Sequence, residues 1–584
     1  MNRLRGNLPL VLIWLAVCAV LVLVTRGQIM TGIGWDPDDQ LRMVQLRDWL
    51  GGQSWFDTTQ YRIAAPDSQP MHWPRWIEAP LALVFLLLKP LIGVNAAEIA
   101  AMVIVPLLTL GIAMWLIARI TAQVFDRKIA MLAAALMATT VPIVAQIRPM
   151  RVDHHGWQIV LALTALWTMF WPDKRQGGLA MGAALALWLS ISLEGLPLSA
   201  AFVVLLVWRW VFQTEEGVRL FWTLLSFLIS SFLLYFAAQG GFNSAINYCD
   251  ALSPAHLWAC TAGAAVILPA IKFLPPNITL RITGIAIAAV AALAVLHAFA
   301  PQCIGGAFNT MEPLVREYWL VNVLEGLPIW YQNWKTMVTL LGGSIAVGLA
   351  SLIYIIRSQP GQIDRSGLFV LGYAFLWALL LSLFVQRATA VAAAFALPFM
   401  AWAVHQAFVW ARGINRPISR ILATAAVVFL IMPGPLAIAL FNGVAGAEPQ
   451  PEPTANSSLC KDDDSLARLK GLPKSNLVAP FDFGPRILLL TPHSVLATSH
   501  HRNDRAMADQ IRIFTSRPDV ARRILAAHDI HYIVACEEEA ELEIYAKTHP
   551  DGLWAQLVKG AKPTWLQPVQ IRDSKLIIWR VTSK

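Results

Sequence analysis

The sequence predicts a polytopic α-helical membrane protein of about thirteen transmembrane helices with a small C-terminal α/β soluble domain. Three observations carry this. The 584 residues are 57% hydrophobic and only 14% charged, where a typical soluble domain carries about 25% charge. The mean hydropathy is +0.56, too apolar a chain for water to be its only solvent. The apolar residues also gather into runs near the ~20 residues needed to cross a ~30 Å hydrocarbon core.

The first run, 8–24, follows Met1-Asn-Arg-Leu-Arg5. No small-residue cleavage site comes after it, so it reads as a retained helix with a cytoplasmic N-terminus, not a signal peptide. Further runs lie near 96–118, 129–147, 156–172, 177–193, 196–213, 218–238, 257–271, 282–300, 336–356, 367–385, 388–411 and 420–442. If sides alternate from a cytoplasmic start, Arg119, Arg127, Lys128, Lys174, Arg175, Arg209, Arg219, Lys272, Arg281, Arg357, Arg365, Arg412, Arg416 and Arg420 all fall inside. That is the positive-inside pattern of a multi-pass cell (inner) membrane protein. An odd number of helices then places the C-terminal domain on the periplasmic, extracytoplasmic side.

The helical domain is expected over 1–445, with two long outer loops at 28–80 and 300–333 among otherwise tight turns. Long loops on one face are where binding and catalysis concentrate. Residues 446–459 read as a Pro/Glu-rich linker. Over 460–584 the pattern is that of a small α/β domain, with strands at 486–490, 531–534 and 575–581 and a helix at 519–528. The formal charge of +9 does not imply nucleic acid as a partner. Its basic residues sit in short loops, and no basic helix or aromatic-interleaved basic patch occurs. The six cysteines form no CxxC pair; Cys249 with Cys260, or Cys460 with Cys536, are the disulfides to test.

Four constellations on the predicted outer face carry candidate chemistry. They are Gly34-Trp-Asp36-Pro-Asp38-Asp39-Gln-Leu-Arg42, Arg148-Pro-Met-Arg151-Val-Asp153-His154-His155, Asn322-Val-Leu-Glu325-Gly-Leu-Pro-Ile-Trp330 and Phe481-Asp482-Phe483-Gly484. Ionisable groups at membrane boundaries are costly and tend to be functional. Carboxylates plus one imidazole suit Mn²⁺ or Mg²⁺, and Asp153 and His155, two residues apart, can aim at one ion. The plainer alternatives are specific. Asp36, Asp38 and Asp39 could solvate a loop and cap a helix from Gln40, Glu325 could cap a helix, and Arg387 could snorkel at a helix end. Glu194 in Ser192-Leu-Glu-Gly-Leu-Pro197 has no role beyond a pocket wall, and His500-His501-Arg502 reads as a solvated loop.

The order and placement of these motifs resemble the catalytic subunits of oligosaccharyltransferases, in the GT-C class of membrane glycosyltransferases. Asp36-Pro37, with Arg42 beyond it, is similar to the family's first outer-loop motif. Asp153-His154-His155 looks like the second motif of archaeal members. Asn322-Val-Leu-Glu325, followed by Pro328 and Trp330, resembles the motif of the family's re-entrant loop. Gln386-Arg387-Ala is similar to the site of a family arginine.

The resemblance implies a GT-C fold and transfer of a sugar or oligosaccharide from a polyprenyl-(di)phosphate carrier to a lipid, glycan or protein acceptor. It implies Mn²⁺ or Mg²⁺ held by Asp36, Asp153, His155 and Glu325. Asp36 would orient the nucleophile with help from Glu325, and Arg387 would bind phosphate, with Arg148 or Arg151 assisting. One motif departs. The family's Trp-Trp-Asp, which reads Ser or Thr of an acceptor sequon, appears here as Pro480-Phe481-Asp482-Phe483-Gly484, so Asp482 and the aromatic-Gly after it remain and both tryptophans are absent. That departure favours a monosaccharide transferase modifying a lipid or polysaccharide. A lipid-linked glycan flippase is the alternative of another class. Against it, the halves show no internal repeat and the charges gather at one face instead of the midplane.

Overall fold

The computed structural model describes residues 2–241, 246–359, 363–431, 463–536, 539–572 and 574–582. Among these, eight helices are long and apolar enough to cross a membrane. They become nine if the pair Trp334–Leu341 and Ser344–Ser358, bent by 51°, counts as one span. The chain is a multi-pass membrane protein with a small sheet near its C-terminus. Contacts divide it into two compact units. The first comprises Met1–Arg26, Ile92–Asn309 and Leu324–Glu448, and the second Gly27–Leu91, Thr310–Val323 and Pro449–Lys584.

The first unit is helical. Its polar turns are set by sequence: Asp126, Asp173 and Asp364 each accept backbone N–H bonds from residues two and three ahead and cap the helix that follows. The basic residues just after these caps, Arg127, Lys174 and Arg365, are the loop charges that marked the inner side in the sequence. Close packing follows from small residues, as membrane helices require. At Gly182, in Lys174–Ile191, a Cβ would sit 2.3 Å from the Thr223 carbonyl of Gly217–Gln239. Large apolar side chains stay exposed on the outer helices, such as Ile282 and Val290 of Ile278–Phe299.

Three expected spans are helical without meeting the crossing criterion. The 129–147 run is divided into Arg127–Leu136, a 3-10 turn at Met137–Thr139 and Val141–Gln146, because Pro142 disfavours helix at the residue before it. The 156–172 and 177–193 runs correspond to His155–Thr168 and Lys174–Ile191. The last run is helical over Pro417–Ile431; its remainder, the linker 446–459 and Cys460 lie outside the described residues. Cys249 pairs with Cys303, not with Cys260, which is a free thiol.

The second unit is mixed. Its sheet has five strands, Asn476–Val478 (β1), Ser494–Val495 (β2), Tyr532–Ala535 (β3), Leu566–Val569 (β4) and Ile577–Val581 (β5), in the order β2-β1-β3-β5-β4. β1 pairs in parallel with β2 and β3, while β5 runs antiparallel to both β3 and β4. The strand expected at 486–490 is instead part of the helix Phe483–Leu490. A short apolar run does not by itself distinguish strand from buried helix, and Pro485, in the first turn, is tolerated where a helix starts.

The segment 28–80 extends this sheet. Ile63 bridges Val495 in parallel; the Ala64 N–H donates to the Val495 carbonyl (3.0 Å) and the Val495 N–H to the Arg62 carbonyl (2.9 Å). Arg62 then donates to the carbonyls of Leu488, Thr491 and His493.

Candidate active site

The second constellation forms around a strained turn of the helical unit. Met150 takes φ +70 and is fully buried, and its N–H donates to the Met102 carbonyl at 2.9 Å. A non-glycine residue in this region costs about 1–3 kcal/mol and persists only where surroundings enforce it. The strain turns the chain so that Asp153, with no exposed side-chain surface, meets both histidines. Asp153 Oδ1 accepts from the His154 N–H (2.6 Å) and faces His154 Nδ1. Asp153 Oδ2 lies 3.2 Å from His155 Nε2 and 3.7 Å from Arg151 Nη2. Arg151 also donates to Gln146 Oε1, and its N–H to the carbonyl of half-buried Arg148.

Glu194, which the sequence left without a role, is the hub of the rest. One of its oxygens accepts from Gln158 Nε2 (3.0 Å) and lies 3.6 Å from His154 Nε2 and 3.9 Å from His155 Nδ1. The other accepts from Arg387 Nη1. Arg387 Nη2 reaches Glu325 Oε1 at 3.3 Å, so Arg387 is a bridge between two carboxylates and not a snorkelling cation. The Glu325 turn is tied in through the backbone, where the Gln386 N–H donates to the Leu327 carbonyl (3.0 Å). Gln158 is oriented by Trp188 Nε1, which donates to its Oε1. Asp153, Glu194 and Arg387 each stand at the N-terminal end of a helix, His155–Thr168, Leu196–Phe212 and Thr389–Arg412. Helix N-termini favour carboxylates and phosphates alike.

Electrostatics matches the geometry. Burial alone would raise the Asp153 carboxyl, but His154, His155 and Arg151 outweigh it and hold it well below the usual range. Burial works against a charged His154, yet the Asp153 carboxylate beside it lifts that imidazole to about 9. Glu325 is likewise kept low, against burial, by Arg387 and His155.

A divalent cation fits this donor set. The buried Asp153, His154 and His155 each offer a ligand atom, all within 4.8 Å of one another. His155 Nε2 is buried without a hydrogen bond, and its 3.2 Å separation from Asp153 Oδ2 is close to the roughly 3 Å ligand–ligand edge of an octahedral shell with ~2.1 Å bonds.

Asp36 and Asp482 belong to the second unit. Asp36 caps the helix Pro37–Leu50, accepting from the Asp39 N–H (3.0 Å), while the fully buried Asp39 accepts in return from the Asp36 and Trp35 N–H groups. The capping role open to this cluster is therefore real. Arg42 pairs with Glu78 at 2.7 Å, both fully buried, and stacks 4.1 Å over Trp73. In the fourth motif Phe481 (2% exposed) and Phe483 (0%) are core residues. The Phe481 N–H donates to Glu541 Oε2 (2.8 Å), and Asp482 is exposed.

No family model and no curated protein matches the chain. Among solved structures it is similar to the archaeal oligosaccharyltransferase AglB from Archaeoglobus fulgidus in complex with an inhibitory peptide and a dolichol-phosphate, with TM-score 0.64, 14% identity, and 91% of this chain and 71% of that chain covered. The same archaeal enzyme tethered to an acceptor peptide containing the NVT sequon gives 0.59 at 14% identity, with 91% and 71% covered. Its complex with Zn and sulfate gives 0.56 at 16%, with 89% and 68% covered. At such identities the likeness is one of fold, and that fold is the one the sequence motifs led us to expect.

Proposed function

We propose that this chain is a membrane glycosyltransferase that moves a sugar or oligosaccharide from a polyprenyl-(di)phosphate carrier to an acceptor on the outer side of the membrane. The observation that carries the reading is the continuous chain Asp153–His155–Glu194–Arg387–Glu325, assembled from helix ends and a loop in a chain that shares the fold of an oligosaccharyltransferase. The related structures hold dolichol-phosphate and acceptor peptide, which makes the corresponding donor and acceptor classes the natural substrates to try.

Asp153, His155 and Glu325 would hold Mn²⁺ or Mg²⁺, with Asp36 joining them on the strength of its motif. A bound divalent cation supplies charge stabilisation to a departing phosphate. The residues themselves do the positioning. Arg387 offers a guanidinium to phosphate oxygens and is aimed by Glu194 and Glu325, with Arg151 and Arg148 as further cations. Asp36, in the role its motif gives it, accepts a hydrogen bond from the attacking nucleophile and orients it. In the transfer the bond from the sugar's anomeric carbon to phosphate oxygen breaks, the bond to the acceptor forms, and the acceptor's proton leaves to a carboxylate.

A second reading, transfer of a monosaccharide to a lipid or polysaccharide hydroxyl, is favoured by the buried Phe481 and Phe483. Comparison of glycolipids, envelope polysaccharide and secreted proteins by mass spectrometry, with and without this chain, tests the proposal. A missing glycan in one fraction supports it, and identical glycans in all three overturn it.

A further inference from the structure

The helical unit holds a cavity of about 1100 Å³. Its walls come from the end of Val94–Val124, the start of Arg127–Leu136, one face of Ser344–Ser358 and the later turns of Thr389–Arg412. At ~1.5 Å per residue, His405 of that last helix is about 24 Å along the axis from Thr389. The cavity therefore stands at the opposite end of the helix from Arg387 and the cluster that Arg387 joins.

Small residues open it to the side. Ser344–Ser358 and Thr389–Arg412 run parallel, touching where a Cβ on Gly348 would sit 2.9 Å from the Ala396 Cβ and again where the Tyr354 and Trp402 rings lie 5.8 Å apart. Beside that seam Ala346 and Ala350 are too short to fill the space, and with Tyr354 they line the cavity while staying exposed. The cavity is thus a furrow on a helix face whose Ile353 and Ile356 are also exposed, as lipid-facing residues are. From Ala346 to Ser358 it runs about 18 Å along the helix, close to the ~15 Å of one leaflet of a ~30 Å hydrocarbon core.

The end of the furrow at Asp126 and Ser358 is basic. Arg127 and Lys128 follow Asp126, Arg357 precedes Ser358, and Arg365 lies just beyond the lining Ile363; all four cations are exposed. The two carboxylates among them, Asp126 and Asp364, are each held by the backbone N–H groups of the helix they cap. Since Trp402 is level with Tyr354, His405 is level with Arg357, and its Nδ1 is buried with no hydrogen bond among the described residues. A buried polar atom left so is costly unless a partner meets it. We propose that the furrow binds one anionic phospholipid of the leaflet away from the Asp153 cluster. Its acyl chains lie along Ser344–Ser358, its phosphate sits among Arg127, Lys128 and Arg357, and an oxygen of its glycerol region accepts from His405 Nδ1. Apolar walls suit the chains, and basic pockets between membrane helices select anionic head groups.

The test uses the full-length chain in detergent, stripped of lipid and then given dioleoylphosphatidylglycerol, the zwitterionic dioleoylphosphatidylcholine, a polyprenyl phosphate or inorganic phosphate. Native mass spectrometry is expected to find one phosphatidylglycerol retained per chain, lost in Ala350→Trp, which fills the furrow. Thermal unfolding should shift upward with phosphatidylglycerol but not with phosphatidylcholine or inorganic phosphate. Should Ala350→Trp fail to fold, Lys128→Gln with Arg357→Gln tests the head-group end through two exposed side chains. That pair should weaken phosphatidylglycerol binding roughly tenfold, each cation near an anionic lipid contributing about a factor of five. Equal retention of phosphatidylcholine, an equal shift with inorganic phosphate, or no retained phosphatidylglycerol overturns the proposal. So does phosphatidylglycerol binding unaltered by these variants, or retention of polyprenyl phosphate in its place that Ala350→Trp abolishes.

Discussion

Glu194 stands between the imidazoles of the Asp153 turn and the guanidinium that reaches Glu325. Its side chain is 39% exposed and that of Glu325 is 38%, so water screens both ion pairs and their stabilising energy is small. Their value is positional. Partners behind ligand groups are worth about 10–100-fold in metal affinity or activity, so Glu194→Gln should lower the rate by that factor and raise the Mn²⁺ concentration needed for half-maximal activity. Initial rates across a metal titration check this, and a variant within twofold of wild type at all metal concentrations refutes it. Glu541 gives a residue-scale effect of another kind. Burial, with the nearby Asp482 and Glu539 carboxylates, raises it to about 8 from an ordinary 4.5, despite the opposing hydrogen bonds from Phe481 N–H and Tyr545. The folded state thus binds this proton more tightly than the unfolded state. Its stabilising contribution is complete below about pH 4.5 and is lost as pH rises to about 8. At 1.36 kcal/mol per unit, and with water still reaching part of the side chain, the loss is on the order of 1–2 kcal/mol. Melting temperature between pH 5 and 8.5 should fall less in Glu541→Gln than in wild type.

At the scale of elements, Arg62 and its strand-like neighbours hold the 27–91 segment to the edge of the sheet. Its guanidinium satisfies three carbonyls, two of them at 2.5 and 2.6 Å. Arg62→Ala strands those acceptors, at about 1–3 kcal/mol each where water cannot reach them, and should lower the first thermal transition of the full chain by several degrees. Arg62→Lys should recover little of the loss, because an ammonium cannot reproduce the planar fork. A melting curve unchanged in Arg62→Ala would remove this contact from the account. None of this extension was legible in the sequence, since β2 is two residues long and β1 three, too short for alternation to register. The long spans were legible because a run of about 20 apolar residues matches the thickness of a bilayer and exceeds what a small soluble core can bury. The helix Phe483–Leu490 was typed as a strand because its apolar run fits either state. Asp153 and His155 could be picked out because they are close in sequence. Glu194 could not, because it finds Arg387 across 193 residues and its own surroundings, Leu-Glu-Gly-Leu-Pro, read as a plain turn.

For the molecule as a whole, the placement of Lys and Arg predicts that the N-terminus is cytoplasmic and the second unit lies outside; a C-terminal reporter active only in the cytoplasm would reverse that. On the outer side the open question is the acceptor. A peptide sequon is read through its Ser or Thr hydroxyl, and a site built to hydrogen-bond a hydroxyl discriminates strongly because its own polar groups go unpaired without it. Tryptophan serves such a site with a rigid wall and an N–H donor. Here the two residues before Asp482 are Pro480 and Phe481, neither of which has a side-chain donor, and the rings of Phe481 and of Phe483 beyond the Asp are both buried in the domain core. Of the motif's three central residues Asp482 is the one at the surface, and a single carboxylate exposed to water selects weakly. The chain should therefore glycosylate an Asn-X-Ser/Thr peptide poorly and prefer a lipid or glycan hydroxyl, and Asp482→Ala should lower activity less than about tenfold. The decisive assay gives the purified enzyme its lipid-linked donor and compares a sequon peptide with extracted envelope glycolipid. Efficient, Thr-dependent peptide glycosylation that disappears in Asp482→Ala would mean that this single carboxylate reads the hydroxyl unaided and that protein is the acceptor. Product on the glycolipid alone, little changed in Asp482→Ala, would assign the surface around Asp482 to a role other than acceptor selection.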